Sequence, residues 1–215
     1  DVIIKFHPKS KLLIKPISYK IKSNDDFDEV RCQFEIFNLS SNKETMIPYL
    51  NSELNFFNKK DLIKFDYKKE ILIDYGDFKK NITSYWPTII VKSNSSVMIY
   101  MKFVFKKYLV DNDQFLWLKI NWNHYGHFGL KINQNNFLLS NHKTNKKYMK
   151  LINHPINKEY EAIAIKTNIL GAFDDPIEII SKYCEGIIRE NDILVIGETP
   201  LAIMQGRYIN PKNVD

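Results

Sequence analysis

The stretch Val30-Arg31-Cys32-Gln33-Phe34-Glu35-Ile36-Phe37 decides the fold of most of this chain, because apolar and polar residues alternate along it. Successive side chains of a β-strand point to opposite faces of a sheet. The apolar residues from Val30 to Ile36 therefore face one side, and the polar residues between them face the other. This pattern predicts a strand in a sheet that has one buried face and one face in water.

Three more runs between residues 11 and 139 show strand alternation with β-branched and aromatic residues. They are Leu13–Ile21, Ser96–Phe105 and Phe115–Asn123. Weaker strand patterns occur at 46–56, 65–73, 86–91 and 128–138, which brings the total to about seven to nine strands. That number predicts an immunoglobulin-like β-sandwich, with a β-barrel as the alternative architecture.

The last fifty residues have a different pattern. Glu161–Thr167 is an alternating apolar run, Asp174-Asp175-Pro176 is typical of a helix start, and Ile193–Ile196 is a short β-branched run. Either aspartate can cap the helix by accepting backbone N–H bonds, and proline fits the first helical position. The helix is expected to continue to Glu190. Strand, helix and strand in this order predict a β-α-β unit, in which ligands gather at the carboxyl ends of the strands. Three- and four-residue spacing predicts that the buried stripe of the helix comprises Ile177, Ile180, Cys184, Ile187 and Ile188.

Four segments of this tail are similar, in order and spacing, to the opening segment of the coenzyme F-420 gamma-glutamyl ligase family. They are Ile165-Lys166-Thr167, Phe173–Pro176, Asp192–Ile196 and Ala202–Arg207. The cyanobacterial-type homologues, in which an all-β region precedes the ligase-like part, resemble the chain over a longer stretch. The resemblance implies a mainly β, α+β protein in which a β-sandwich precedes the first β-α-β portion of an α/β ligase-like domain.

The resemblance also implies an activity: amide bond formation between a phosphodeazaflavin and L-glutamate, with GTP and a divalent metal (Mg or Mn), usually by a homodimer. In the family, a loop after the first strand and a hydroxyl pair after the next strand approach the nucleotide. At the matching positions the cofactor-binding candidates are Lys166, Thr167, Asn168, Glu198, Thr199 and Arg207. Two positions depart from the family pattern, because Ile203 replaces a lysine and Glu198 replaces a hydroxyl. No catalytic or metal-binding residue is assigned.

The domain organisation is expected to follow a change in composition. Ser140–Lys147 is polar and basic, and the segment at 153–158 lacks periodicity, so both are typical of a linker. We expect an all-β domain at 1–150 and the start of the ligase-like domain at 151–215. The sequence has no initial methionine and ends in a polar run, which predicts a fragment. The resemblance implies that the active site of this fragment is incomplete, because the metal-binding acids of the family lie farther downstream.

The net charge of +6 raises the question of a nucleic-acid partner. The strand from Met98 interleaves Tyr100, Phe103 and Phe105 with lysines, as a platform for base stacking would. However, the basic residues are nearly all lysine, and arginine is the residue that reads and stacks on bases. A lysine-rich surface in water is the favoured interpretation, and no run of about 18 apolar residues predicts a membrane span.

The remaining motifs have structural interpretations. His124 and His127 lie at an expected hairpin turn without the further ligands of a zinc site. Cys32 and Cys184 lie on apolar faces, which predicts buried, reduced thiols and is consistent with a cytoplasmic location. Three triplets match the glycosylation sequon and are attributed to the abundance of Asn: Asn38-Leu39-Ser40, Asn81-Ile82-Thr83 and Asn94-Ser95-Ser96.

Two function hypotheses follow. In the first, the chain belongs to a GTP-dependent amide ligase, and the cofactor-binding candidates line the nucleotide end of its catalytic fold. In the second, the protein is a noncatalytic scaffold whose β-sandwich is a docking module, and Glu198 and Arg207 are surface ion-pair residues.

Overall fold

The computed structural model describes residues 12–58, 61–82, 88–107, 115–126, 129–140, 151–155, 161–165, 167 and 169–206. The chain divides into two compact units, Asp1–Leu139 and Ser140–Asp215. Among the described residues, no helix is long and apolar enough to cross a membrane.

The first unit is built from β-strands. In chain order they are β1 (Leu12–Ser23), β2 (Phe27–Asn38), β3 (Thr45–Ile47), β4 (Tyr49–Asn58), β5 (Asp61–Ile63), β6 (Lys68–Asp74), β7 (Lys79–Asn81), β8 (Ile89–Val91), β9 (Ser96–Lys106), β10 (Phe115–Gly126) and β11 (Gly129–Ser140). All four long runs predicted as strands are confirmed. Each of the four weaker patterns contains a strand (β3 with β4, β6, β8 and β11), but residues 65–67 precede β6, and residues 86, 87 and 128 lie outside the described residues. The sequence pattern missed β5 and β7, because three residues are too few to show a two-residue period.

These strands form two main antiparallel sheets. One has the order β1-β2-β9-β6-β7 and the other the order β11-β10-β4-β5, while β3 and β8 form a separate pair. The register pairs Arg31 of β2 with Lys102 of β9 and Trp122 of β10 with Leu50 of β4. The β1–β2 ladder shifts register between Pro16 and Ser18.

The core lies between the two main sheets. The predicted inner face of β2 is confirmed, because Val30, Cys32, Phe34 and Ile36 are at most 1% exposed. Aromatic rings connect the sheets: Phe34 meets Phe137 of β11 with ring centroids 4.8 Å apart. Two face-to-face sheets joined by interleaved side chains are a sandwich, not the alternative barrel.

A second group of rings closes one side of the core. Phe56 of β4 meets Phe105 of β9 edge-on at 5.8 Å, and Phe65 contacts both rings at 4.3 and 4.8 Å. Close by, the backbone N–H of Leu54 donates to the Tyr67 hydroxyl at 3.1 Å. Because Phe65 and Tyr67 precede β6 and are half-buried, the connection from one sheet to the other packs against the edge of the core.

The second unit contains β12 (Leu151–Pro155), β13 (Glu161–Ile165), α1 (Pro176–Cys184) and α2 (Glu198–Met204). The two strands pair antiparallel. The strand predicted within Glu161–Thr167 is therefore confirmed as β13. Residues 153–155, expected in a linker, instead belong to β12.

Helix α1 is shorter than the sequence pattern predicted. It ends at Cys184 rather than Glu190, because Gly186 adopts a positive φ of 76° and the N–H groups of Ile187 and Ile188 turn back to the Cys184 carbonyl. A left-handed glycine at this position is a common helix stop. The predicted burial of Cys184 is confirmed at 8% exposed, but Ile177 is 74% exposed. The apolar stripe of this short helix is therefore only partly buried.

The strand predicted at Ile193–Ile196 is not formed. These residues belong to no sheet, and Ile193 and Val195 are 87% and 84% exposed. A strand is stabilised by neighbours that pair with its backbone and cover its side chains, and β13 has β12 as its partner in the described residues. Local strand preference alone therefore did not predict the pairing state of this segment.

Candidate functional site

Three of the six predicted nucleotide-contacting residues lie in the described part of the chain. Thr167 follows β13 and is half-buried, whereas Glu198 and Thr199 form the exposed first turn of α2. The residue that departs from the family pattern, Ile203, is half-buried in the same helix. Lys166, Asn168 and Arg207 lie outside the described residues. The structure thus brings together Glu198 and Thr199, with both side chains open to solvent.

A tight turn precedes α1 and is held by Asp174. Its Oδ2 accepts a hydrogen bond from the Gly171 N–H at 2.7 Å, and its own N–H donates to the Gly171 carbonyl at 3.1 Å. Burial raises the pKa of the Asp174 carboxyl, while the Gly171 N–H and the charge of Lys182 act in the opposite direction. Asp174 closes this loop and does not face outward as a free ligand.

Asp175 is the N-cap of α1. Its Oδ1 accepts hydrogen bonds from the Ile177 and Glu178 N–H groups at 2.8 and 3.1 Å, and Pro176 begins the helix. This confirms the predicted capping role. The described residues contain no group of three or more His, Cys, Asp or Glu side chains that could hold a metal ion.

A buried polar group occupies the inner face of the β10–β11 hairpin. His124 is 2% exposed, its ring stacks on Trp122 with centroids 5.1 Å apart, and its Nδ1 accepts from Asn133 Nδ2 at 2.8 Å. Burial, together with the nearby charge of Lys131, lowers the pKa of His124. Because the amide nitrogen of Asn133 can only donate, Nδ1 acts as the acceptor in this contact, which matches the neutral tautomer that carries its proton on Nε2. The other histidine of the motif, His127, lies outside the described residues.

Opposite charges are paired on the outer face of the five-stranded sheet. Glu29 contacts Arg31 at 2.6 Å and Lys102 at 3.8 Å, and Lys102 also lies 3.7 Å from Glu70. The hydrogen bond from Arg31 is the main cause of the lowered pKa of Glu29. Carboxylates thus offset part of the basic charge on this face, as expected of an ordinary solvated surface.

The aromatic residues of β9 do not form a platform beside its lysines. Phe103 and Phe105 are 0% and 4% exposed and point into the core, while Tyr100 and Lys102 lie on the opposite face. Base stacking needs rings that solvent can reach. The favoured interpretation, a lysine-rich surface over an apolar core, agrees with this arrangement.

The sequon residue Asn38 is a buried structural group. It is 0% exposed, its Nδ2 donates to the Lys43 and Val91 carbonyls at 2.9 and 3.1 Å, and its Oδ1 accepts from the Ser40 N–H at 3.0 Å. Every polar atom of its side chain is thus bonded. Sequence reasoning missed this role, although an Asn two residues before a Ser at a strand end is typical of an Asx turn.

Comparisons with known proteins identify the sandwich. The family described as F420-0:gamma-glutamyl ligase, N-terminal Ig-like domain, matches residues 13–143. No curated protein matches the chain. Among solved structures, a Bordetella pertussis protein described as ApaA shares 10% identity with a TM-score of 0.32, over 62% of this chain and 95% of that chain.

Two further solved structures resemble the chain to a similar extent. The N-terminal domain of PorA shares 11% identity with a TM-score of 0.33, over 60% of this chain and 96% of that chain. A protein from Archaeoglobus fulgidus shares 7% identity with a TM-score of 0.28, over 60% of this chain and 100% of that chain. Scores this low carry no argument, so the assignment depends on the family match.

Proposed function

Because the chain belongs to the F420-0:gamma-glutamyl ligase family through its N-terminal Ig-like domain, we propose that it is part of a GTP-dependent ligase that joins L-glutamate to a phosphodeazaflavin. The family match over residues 13–143 is the observation that carries this proposal. The resemblance of the tail to the opening of the ligase domain supports it independently.

In this proposal the Ig-like domain has no chemical role. Two of its buried polar side chains are engaged within the fold: His124 is bonded to Asn133, and Asn38 is fully bonded. We assign the nucleotide contacts to the second unit, where the exposed Thr199 offers a hydroxyl donor for phosphate oxygens. The described residues do not include a metal donor set, so no metal-dependent step is assigned to them.

The charge of Glu198 predicts the direction in which a substitution there should change the affinity for GTP. It is exposed in the same helical turn as Thr199, so a triphosphate held at Thr199 would be repelled by its carboxylate. Two unit charges about 4 Å apart in water interact by roughly 1 kcal/mol. Replacing Glu198 with Ala should therefore tighten GTP binding about fivefold.

Isothermal titration of GTP into the protein, with and without Mg or Mn, measures this effect. Wild type, Glu198→Ala and Thr199→Ala are compared with Glu190→Ala, which removes an exposed carboxylate outside the proposed site. We expect saturable, metal-dependent binding that Glu198→Ala strengthens, Thr199→Ala weakens and Glu190→Ala leaves unchanged. Absence of binding at millimolar GTP would contradict the proposal.

A noncatalytic scaffold is the second candidate, and Ile203 is the observation in its favour. An isoleucine replaces a cation that would pair with phosphate, and Glu198 adds a negative charge in the same helix. Both changes oppose nucleotide binding. In that case the sandwich is a docking module, and the titration gives no heat with any of the four proteins.

A further inference from the structure

The outer face of the four-stranded sheet is rich in amide side chains. Leu54 on β4 and Ile120 on β10 are buried on the inner face, so the residues next to them in sequence point outward. On β11, Asn136 Oδ1 accepts hydrogen bonds from Trp117 Nε1 and Gln134 Nε2, both at 3.2 Å. The six amides that share this outer face, called the amide face below, are Asn51, Asn55, Asn121, Asn123, Gln134 and Asn136.

The amide face carries little charge, unlike the outer face of the five-stranded sheet. That other face holds the ion pairs of Glu29 with Arg31 and Lys102. On the described strands β4, β10 and β11, the charged residues of the outer face are Glu53 and Lys119, which lie directly opposite each other. Both sheets belong to one domain, so the abundance of Asn in the whole chain does not explain this contrast. A face without excess positive charge does not suit a polyanion such as nucleic acid.

Asn55 is a nearly buried amide on this face. It is 5% exposed, it lies directly opposite Trp117, and among the described residues its side chain makes no hydrogen bond. In the same part of the chain, Ser52 Oγ is the side-chain atom that is both unbonded and fully closed to solvent. The amide of Asn55 therefore keeps a narrow opening to solvent. An unbonded buried amide costs free energy unless a partner arrives from outside the fold.

A second amide is held in one orientation. Lys69 Nζ reaches around the edge of β4 and donates to Asn51 Oδ1 at 2.5 Å and to the Ser52 carbonyl at 2.9 Å. Because the oxygen of Asn51 is engaged, its Nδ2 is the group that remains to donate outward. Asn121 lies directly opposite Asn51 and adds a second amide beside it. Two neighbouring amides can offer donors and acceptors to the same ligand.

Exposed aromatic rings lie at one end of the amide face. Tyr49 is 44% exposed and lies directly opposite Asn123, and Tyr125 is 56% exposed two residues further along β10. An aromatic ring offers a flat apolar surface with a polar group at its tip. The face thus combines flat apolar surfaces, uncharged donors and acceptors, and little net charge.

We propose that the amide face binds a neutral oligosaccharide. A sugar hydroxyl is both donor and acceptor, as the carboxamide group is, and the C–H side of a sugar ring packs on an aromatic ring. A neutral ligand also needs no charged partner. In this complex, a hydroxyl group bonds the open amide of Asn55, while Asn51 and Asn121 bond the next sugar along the sheet. The inference concerns the Ig-like domain and goes beyond the proposed ligase activity.

Isothermal titration of maltohexaose and of cellohexaose into the protein tests this site. We expect at least one of these glucose oligomers to bind with a dissociation constant of about 1 mM or lower. Asn121→Ala should weaken this binding about five- to tenfold, because one hydrogen bond is lost. Gln33→Ala is the matched control, since Gln33 is a half-buried amide on the outer face of the other sheet; it should leave the affinity unchanged.

Asn55→Ala separates binding from stability. It should weaken sugar binding about five- to tenfold and leave the urea midpoint unchanged or higher, because it removes an unbonded buried amide. A purely structural amide would give a lower midpoint instead. No binding of either sugar at about 10 mM, or equal affinity of wild type, Asn55→Ala and Asn121→Ala, would overturn the proposal. A loss as large for Gln33→Ala would overturn the assigned face.

Discussion

Replacing Asn38 with Ala removes one side-chain amide and should greatly lower the free energy of unfolding of the Ig-like domain. The side chain bonds the Val91 carbonyl and the Ser40 N–H, and both residues are buried, at 0% and 7% exposed. Leaving a buried polar group without a partner costs about 1–3 kcal/mol. The third partner, the carbonyl of exposed Lys43, can turn to water.

The two buried groups together predict a loss of roughly 2–6 kcal/mol in the free energy of unfolding. Whole domains have about 5–15 kcal/mol, so the variant loses a large share of its stability. Urea unfolding followed by tryptophan fluorescence measures the change, because Trp122 is buried in β10 of the same domain. Asn81→Ala, at an exposed position of β7, is the control and should change stability by less than 0.5 kcal/mol.

A loss below about 1 kcal/mol for Asn38→Ala would refute this reasoning, because it would mean that water or a neighbouring group satisfies both orphaned atoms. A changed denaturant slope would instead point to an effect on the unfolded state.

Three further predictions follow from buried polar groups. Among the described residues, Ser52 has a fully buried hydroxyl without a hydrogen-bond partner, so Ser52→Ala should keep or raise the free energy of unfolding in urea, by up to about 1 kcal/mol. A clear loss would show that the hydroxyl is bonded. The pKa of His124 is lowered in the folded protein, so the unfolded chain binds more protons, and stability should fall as the pH drops below about 6.5. In His124→Gln the urea midpoint should depend less on pH between pH 7 and 5. An unchanged pH dependence of the midpoint would contradict the assignment. Burial raises the pKa of Cys32 to about 12, so iodoacetamide at pH 8 should label Cys32 only after unfolding, as peptide mapping can show.

The sandwich could be predicted from the sequence because its strands are long and have one wet face. In β2 and β10 every second residue is buried, so the two-residue period is visible along the chain. Strand β12 could not be predicted in this way, because Asn153, His154 and Pro155 have low strand preference. These residues form a strand because they pair with β13.

The second unit was predicted in part. The cap by Asp175 depends on neighbours in sequence and was therefore visible. Gly186 in the sequence also indicated the end of helix α1, but the apolar spacing of Ile187 and Ile188 favoured a longer helix. The error at Ile193–Ile196 has another cause, because strand pairing depends on a partner that local preference does not supply.

The candidate site was harder to predict than the fold. Its residues were assigned by resemblance, and the structure shows for Glu198 and Thr199 a shared, exposed helical turn. The buried role of Asn38 depends on Val91, which lies 53 positions away in sequence. No local pattern can report a hydrogen bond across that distance.

The short length of strand β5 limits pairing at one edge of the four-stranded sheet. It is three residues long and lies at the opposite end of its sheet from β11. Three residues provide too few backbone hydrogen bonds to seed another strand, and short edge strands are a common safeguard against fibre growth. This end of the four-stranded sheet therefore offers little backbone to which the strand of another chain could bind.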